Sequence, residues 1–269
     1  MKSLFPFFIL ISLGVSSSFA QLRPLKNAHA HNDYEHEKPL FDALANGFVS
    51  VEADVYLIDN ELFVYHNRPK NPSQDRTLEK LYLKPLLERV QVNNGSVYPN
   101  YNDFFFLMID FKTEGESTYK ALKLLLQKYE SILSVVENGR KQLDKPVLVF
   151  ISGNRPISTI LSEDINLAVL DGRPSDLGKE ISPEKIPVIS QNFNHFSKWN
   201  GKGEMPNEDK MKISQLIHSA HAEGKKVRLW AIPDMPNAWQ TLMDLGVDFI
   251  NTDKLKEFNR FMNKESGNR

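Results

Sequence analysis

The chain has 269 residues, with 33 basic and 34 acidic side chains, a formal net charge of -1, 41% hydrophobic residues and no cysteine. Balanced charge excludes the strong basic excess of a nucleic-acid binder, and the apolar content excludes a disordered chain. Without cysteine there are no disulfides, thiolate metal sites or cysteine nucleophile, so any metal must be held by carboxylate, amide or imidazole.

The first twenty residues, MKSLFPFFILISLGVSSSFA, place one lysine before an apolar run and end in a small-polar stretch. That order is the pattern of a secretory signal cleaved after Ala20, and the run is too short to span a bilayer roughly 30 Å thick. The mature chain, residues 21–269, is therefore expected outside the cytoplasm, periplasmic or secreted. Stable membrane insertion is not expected.

From there, short β-branched or aromatic runs alternate with amphipathic segments. Strands are predicted at Asn27–His31, Phe48–Ile58, Phe104–Lys112, Pro146–Gly153, Leu167–Gly172, Ile186–Asn192, Lys226–Ile232 and Val247–Asp253. Helical segments are predicted at Leu40–Asn46, Thr77–Val92, Ser117–Leu133, Glu208–Glu223 and Ala238–Leu245. Such alternation implies parallel pairing through crossover helices. Eight strands in this length fit one closed (β/α)8 barrel of the TIM type. Asn67–Thr77 and Asn194–Asn207 lack a clean period and read as loops over the barrel mouth.

In such a barrel the chemistry sits where strands end. The first strand ends in His29-Ala30-His31-Asn32-Asp33-Tyr34. On the second, Glu52 and Asp54 share one face, because side chains two apart point together. Two carboxylates on an interior face are costly unless a cation binds them. A turn and a short strand then lead to His66, and the third strand sets Asp110 and Lys112 on one face.

Asn32, Glu52, Asp54 and Asp110 form an all-oxygen set suited to Ca²⁺ or Mg²⁺. His31 and His66 can act as general base and general acid on opposite sides of one centre. Lys112 can hold a phosphate oxygen or pair with Asp110. These parts suit displacement at phosphorus.

The stretch HAHNDYEHEKPLFDALANGFVSVEADVYLIDNELFVYHNR resembles the opening of the glycerophosphodiester phosphodiesterase and phosphatidylinositol-specific phospholipase C superfamily. With the later VRLWAIP and GVDFINTDKL, it is most similar to the altered-inheritance-of-mitochondria branch. The resemblance implies a phospholipase C-like (β/α)8 barrel and a divalent metal. It further implies histidine acid/base cleavage of a small-molecule or lipid phosphodiester, and hence a place in lipid metabolism. It matches His31 and His66 to the catalytic histidines, and Glu52, Asp54 and Asp110 to the metal carboxylates. Asn32 stands where glycerophosphodiesterases usually carry arginine and eukaryotic phospholipases C carry a calcium-binding asparagine. Asp110 replaces the more common glutamate. The hydroxyl of a neighbouring substrate group or water can be the nucleophile, and the sequence does not choose.

Other residues carry two readings. His29 is either a support for His31 or half of an HxH zinc pair, as in amidohydrolases, with His195 and Asp253 as further ligands. Trp230 either packs in the barrel or stacks on substrate, and Gln191 and Asn251 end strands at the pocket. Arg228 reads as a structural ion-pair partner, and Phe104–Phe106 as packing. His36, His218 and His221 read as solvated or structural. A barrel that binds a phosphoester without turnover is the non-enzymatic alternative. A monomer is expected.

Overall fold

A computed structural model describes residues 23–142 and 145–267. The expected signal segment lies outside them. Eight parallel strands close a barrel in the order β1 (Leu25–Ala30), β2 (Phe48–Ile58), β4 (Phe105–Phe111), β7 (Val147–Gly153), β9 (Val169–Gly172), β10 (Val188–Asn192), β11 (Lys226–Trp230) and β12 (Phe249–Thr252). β1 pairs with both β2 and β12, which closes the ring. All eight fall within the predicted strand runs, with Leu25 and Lys26 added at the start of β1.

β2 outruns the wall. Ser50 to Val55 pair in parallel with β4, whereas Val55 to Ile58 pair antiparallel with β3 (Glu61–Val64). Asp59 and Asn60 link the arms with φ of 50° and 65°, the two left-handed residues of a tight hairpin turn. β3 brings the chain back to the barrel rim, where the Tyr65 N–H donates to the Asp54 carbonyl at 3.1 Å. The segment after it, Asn67 to Arg76, has no helix or strand, as predicted. It is anchored by Arg76, whose guanidinium stacks over Tyr65 and donates to the Tyr34 carbonyl at 2.9 Å.

The helices pack outside the wall: α1 (Phe41–Ala45), α2 (Lys84–Val92), α3 (Gly115–Gln127), α4 (Ile157–Ser162), α5 (Asn207–Ala222), α6 (Pro236–Leu245) and α7 (Leu255–Gly267). The boundaries of α3 and α6 have local causes. The Glu114 carboxylate accepts from the Glu116 and Ser117 N–H groups and caps α3. α6 starts at Pro236 and stops at Gly246, whose φ of 98° suits a glycine-terminated helix. The predicted helix over Thr77–Val92 divides into a π-helical turn, Glu79–Leu83, and α2.

Three differences from the sequence reading have physical reasons. α3 ends at Gln127 rather than Leu133, because Tyr129 and Ile132 bury themselves in turns closed by i to i−3 bonds. α7 follows the last predicted strand and buries Leu255 and Phe258, the latter edge-on to Trp239 at 5.2 Å. An antiparallel patch of β5 (Val135–Glu137), β6 (Arg140–Gln142) and β8 (Ile165–Asn166) consists of strands too short to show a period.

Lateral pairing sorts each strand into an inward and an outward set. Phe106, Phe150 and Phe249 pack in the barrel interior, with Phe106 and Phe249 at 5.0 Å between ring centroids. Met108, Leu148 and Val188 share that inward set by register, and beside them His29, Ser50, Glu52, Asp171, Ser190, Arg228 and Asn251 are buried polar residues. Core packing therefore yields to a hydrogen-bonded network beneath the mouth.

Candidate active site

Register brings the predicted carboxylates together. Asp54 lies beside Asp110 across the β2–β4 pair, and Glu52 sits one inward position below Asp54. Glu52, Asp54 and Asp110 each offer an oxygen within 4.8 Å of the others. Asp54 is 1% exposed, and one of its oxygens, Oδ1, is buried with no hydrogen-bond partner. An orphaned carboxylate oxygen in an all-oxygen cluster fits a hard divalent cation. Glu52, Asp54 and Asp110 are the residues that would hold it.

The cluster is asymmetric. Burial resists ionisation of Glu52, but contact with His29 and the charge of Arg228 outweigh it and hold the carboxyl down at about 2. Asp54 is pushed up to about 6 by burial and by the Glu52 charge, against the pull of Lys112 and Tyr34. Arg228 lies under the cluster, with Nη2 3.5 Å from Glu52 Oε2, Nε donating to Asn251 Oδ1 at 3.0 Å and Nη1 to Ser190 Oγ at 3.2 Å. The structural ion pair expected of Arg228 is thus made with Glu52, and Asn251 serves that bond below the mouth. Lys112 Nζ lies 2.8 Å from Asp54 Oδ2 and 3.0 Å from Asp110 Oδ1. Of the two roles expected of Lys112, the pairing with Asp110 is made, and Asp54 shares it.

The two imidazoles flank the carboxylates. His31 Nε2 lies 3.9 Å from Glu52 Oε2, and His66 Nδ1 lies 3.7 Å from Asp54 Oδ2. His31 Nδ1 is 2.8 Å from Asp253 Oδ1, just past the end of β12. A carboxylate only accepts, so Nδ1 carries the proton, and the neutral ring turns a lone pair at Nε2 toward the cluster. Burial works to lower the His31 pKa, but the bond to Asp253 and the charge of Glu52 outweigh it and raise it.

Tyr34, which the sequence reading did not single out, ties these groups together. Its fully buried hydroxyl lies 2.7 Å from Asn32 Oδ1, 2.7 Å from Asp54 Oδ2 and 3.1 Å from His66 Nδ1. Burial and the Asp54 charge push the phenol far above its ordinary value, so it keeps its proton. Asn32 therefore stands one hydroxyl away from Asp54, in a left-handed backbone with φ of 47°. An aromatic two residues after Asn32 was the available signal.

The remaining candidates are placed differently. Trp230 ends β11 on the inward set with Arg228, 37% exposed, and is not packed away in the barrel. Gln191 falls in register with Leu229 on the outward set, and its Oε1 accepts from the Asn192 N–H. None of its hydrogen bonds reaches the carboxylates. His29 is fully buried, with Nδ1 2.7 Å from Ser50 Oγ, and burial and Arg228 push it down to about 4. His195 is exposed on a short 3-10 turn. Among the described residues, the cluster of three or more metal-type ligands contains no histidine. His29 and His31, expected as a zinc pair in the alternative reading, both stand beside Glu52 but are not part of that cluster.

Solved structures share this architecture. A glycerophosphodiester phosphodiesterase from Parabacteroides distasonis matches 91% of this chain and 99% of its own at 15% identity, with a TM-score of 0.53. One from Agrobacterium tumefaciens matches 89% of this chain and all of its own at 13% identity, also with a TM-score of 0.53. The fold is that of the glycerophosphodiesterase-type TIM barrel.

Sequence comparison is more specific. The AIM6-like phosphodiesterase domain matches residues 17–169, and the glycerophosphoryl diester phosphodiesterase family matches residues 226–256. "Altered inheritance of mitochondria protein 6" of Eremothecium gossypii is 31% identical over 88% of this chain and 69% of its own. The Saccharomyces cerevisiae protein of that name is 31% identical over 90% of this chain and 73% of its own. The chain belongs to the AIM6-like phosphodiesterase family.

Proposed function

We propose that the chain is a metal-dependent phosphoric diester hydrolase in which His31 and His66 exchange protons with a phosphodiester bound over Glu52, Asp54 and Asp110. The observation that carries this reading is the pair of imidazoles on two flanks of one carboxylate cluster, at 3.9 Å and 3.7 Å. A bound Ca²⁺ or Mg²⁺ would polarise the phosphoryl group and offset the cluster's charge.

The chain's own residues supply the rest. His31, oriented by Asp253, and His66, hydrogen-bonded to Tyr34, serve as base and acid, one taking the nucleophile's proton and the other protonating the leaving alcohol. Asn32 completes the oxygen set beside Asp54. Lys112 holds a phosphate oxygen, and Trp230 offers a face for stacking on the rest of the substrate. A glycerophosphodiester or a phospholipid headgroup fits these groups. The leader-like pattern of Met1–Ala20 supports action outside the cytoplasm, which mass measurement of the exported chain would test.

Purified protein should hydrolyse bis-p-nitrophenyl phosphate or a glycerophosphodiester, and EDTA should abolish the activity. His31→Ala and His66→Ala should each cost about two to four orders of magnitude in kcat. Activity that survives both substitutions would overturn the mechanism. Phosphoester binding without turnover across several metals would select a non-catalytic barrel instead.

A further inference from the structure

The charges around the carboxylates do not balance for a divalent ion. Glu52, Asp54 and Asp110 carry three negative charges when ionised. Arg228, 3.5 Å from Glu52, and Lys112, at 2.8 Å from Asp54 and 3.0 Å from Asp110, supply two positive ones. Neutral His31 adds no charge at 3.9 Å from Glu52, Asp253 lies on the other side of that ring, and Asp171, 4.0 Å from Arg228, is matched by Arg173 at 2.8 Å. The cluster is left with a single negative charge, and Lys112 already occupies the space between two of its carboxylates.

A divalent cation entering alone would leave an excess positive charge and must compete with the ammonium for Asp54 and Asp110. A phosphodiester entering alone would meet a net negative cluster. Entering together they cancel, because the diester carries one negative charge. The diester also gives Lys112 another acceptor. The lysine has a flexible stem and a side chain that is 29% exposed, so it can turn from carboxylate to phosphate without moving the backbone. Arg228 has no such freedom, being buried and bonded to Asn251 and Ser190.

We propose that Lys112 is the site's resident counter-ion, and that it makes the divalent cation and the phosphodiester bind cooperatively. The proposal rests on the carboxylates holding the metal of the reading above. Coupling of this kind is reciprocal, so the diester tightens the metal by the factor that the metal tightens the diester.

The test is calorimetric titration of Mg²⁺ into the full chain, with and without saturating dimethyl phosphate, in alkaline buffer where the carboxylates stay ionised. In the wild type, dimethyl phosphate should tighten Mg²⁺ binding by about fivefold or more. Lys112→Met should bind Mg²⁺ more tightly than wild type without the diester, and the diester should then add less than about twofold. Lys112→Arg keeps the charge and should keep the coupling, and Lys112→Gln replaces the methionine variant if that one fails to fold. Equal Mg²⁺ affinity and equal coupling in wild type and the neutral variant would overturn the proposal. Mg²⁺ binding with EDTA-sensitive turnover but no coupling in the wild type would overturn it alone. No Mg²⁺ binding under either condition would overturn it together with the metal reading.

Discussion

His31 and Asp253 are 222 residues apart in the chain, yet Nδ1 and Oδ1 lie 2.8 Å apart where β12 closes against β1. The contact joins the two ends of the barrel wall through a group that faces the carboxylates. It fixes the ring plane and the tautomer of His31.

Asp253→Asn should therefore lower kcat by about one to two orders of magnitude without unfolding the barrel. The bond to Asp253 holds the His31 pKa above its ordinary value against the pull of burial. Without that charge, the pH–rate limb belonging to His31 should move to lower pH. Rate profiles of the two proteins on bis-p-nitrophenyl phosphate would show the shift, and superimposable profiles would remove Asp253 from the mechanism.

Arg228 is the buried cation beneath Glu52. Arg228→Met should cost about 3–5 kcal/mol, because it leaves a buried carboxylate unpaired. Adding Glu52→Gln should restore part of that loss. Urea unfolding of the two single variants and the double variant measures the coupling, and strict additivity would show that the contact at 3.5 Å carries none.

Gly153 ends β7 with φ of 70°. A Cβ there would fall 2.4 Å from the Phe111 carbonyl oxygen and 2.5 Å from Asp110 Oδ1. Gly153→Ala should cost about 1–3 kcal/mol in stability and, by displacing Asp110, weaken Mg²⁺ binding. Thermal melting and metal titration read the two effects separately.

Asp33 is buried behind the rim, accepting from the Leu40 N–H at 2.6 Å and the Tyr82 hydroxyl at 2.9 Å, with Oδ1 unpartnered. Burial raises its pKa from 3.8 to about 7. The folded state therefore holds this proton more tightly than the unfolded chain. Its stabilising contribution is complete below the unfolded value and is lost as pH rises through the window to about 7. Asp33→Asn should flatten that slope, gaining on wild type between about pH 4 and 7 in denaturant unfolding. Parallel stability curves would show that Asp33 ionises normally.

The eight wall strands were legible because buried parallel strands read as short β-branched runs. Glu52 with Asp54, and Asp110 with Lys112, were legible because a period of two assigns faces without coordinates. The Tyr34 contacts were not. They depend on a left-handed turn at Asn32 and on the exact return of β3, neither of which leaves a periodic trace. Gln191 looked like a mouth residue because strand position was visible and facing was not, and register with Leu229 turns it outward. Arg228 was legible as an ion-pair partner, but its acceptor Glu52 lies 176 residues away and only barrel closure brings them together.

The ribbon formed by the far half of β2 and by β3 has one further consequence. His66 is held by pairing at the ribbon's base, where Tyr65 meets Asp54, and not by the length of the arms or the turn at Asp59 and Asn60. Residues added in matched pairs at the tip would lengthen the protrusion and leave both imidazoles where they are. Linear separation between VEADV and the second histidine is thus a free parameter of the architecture, and a search for relatives that demands a fixed gap will miss chains whose chemistry is unchanged.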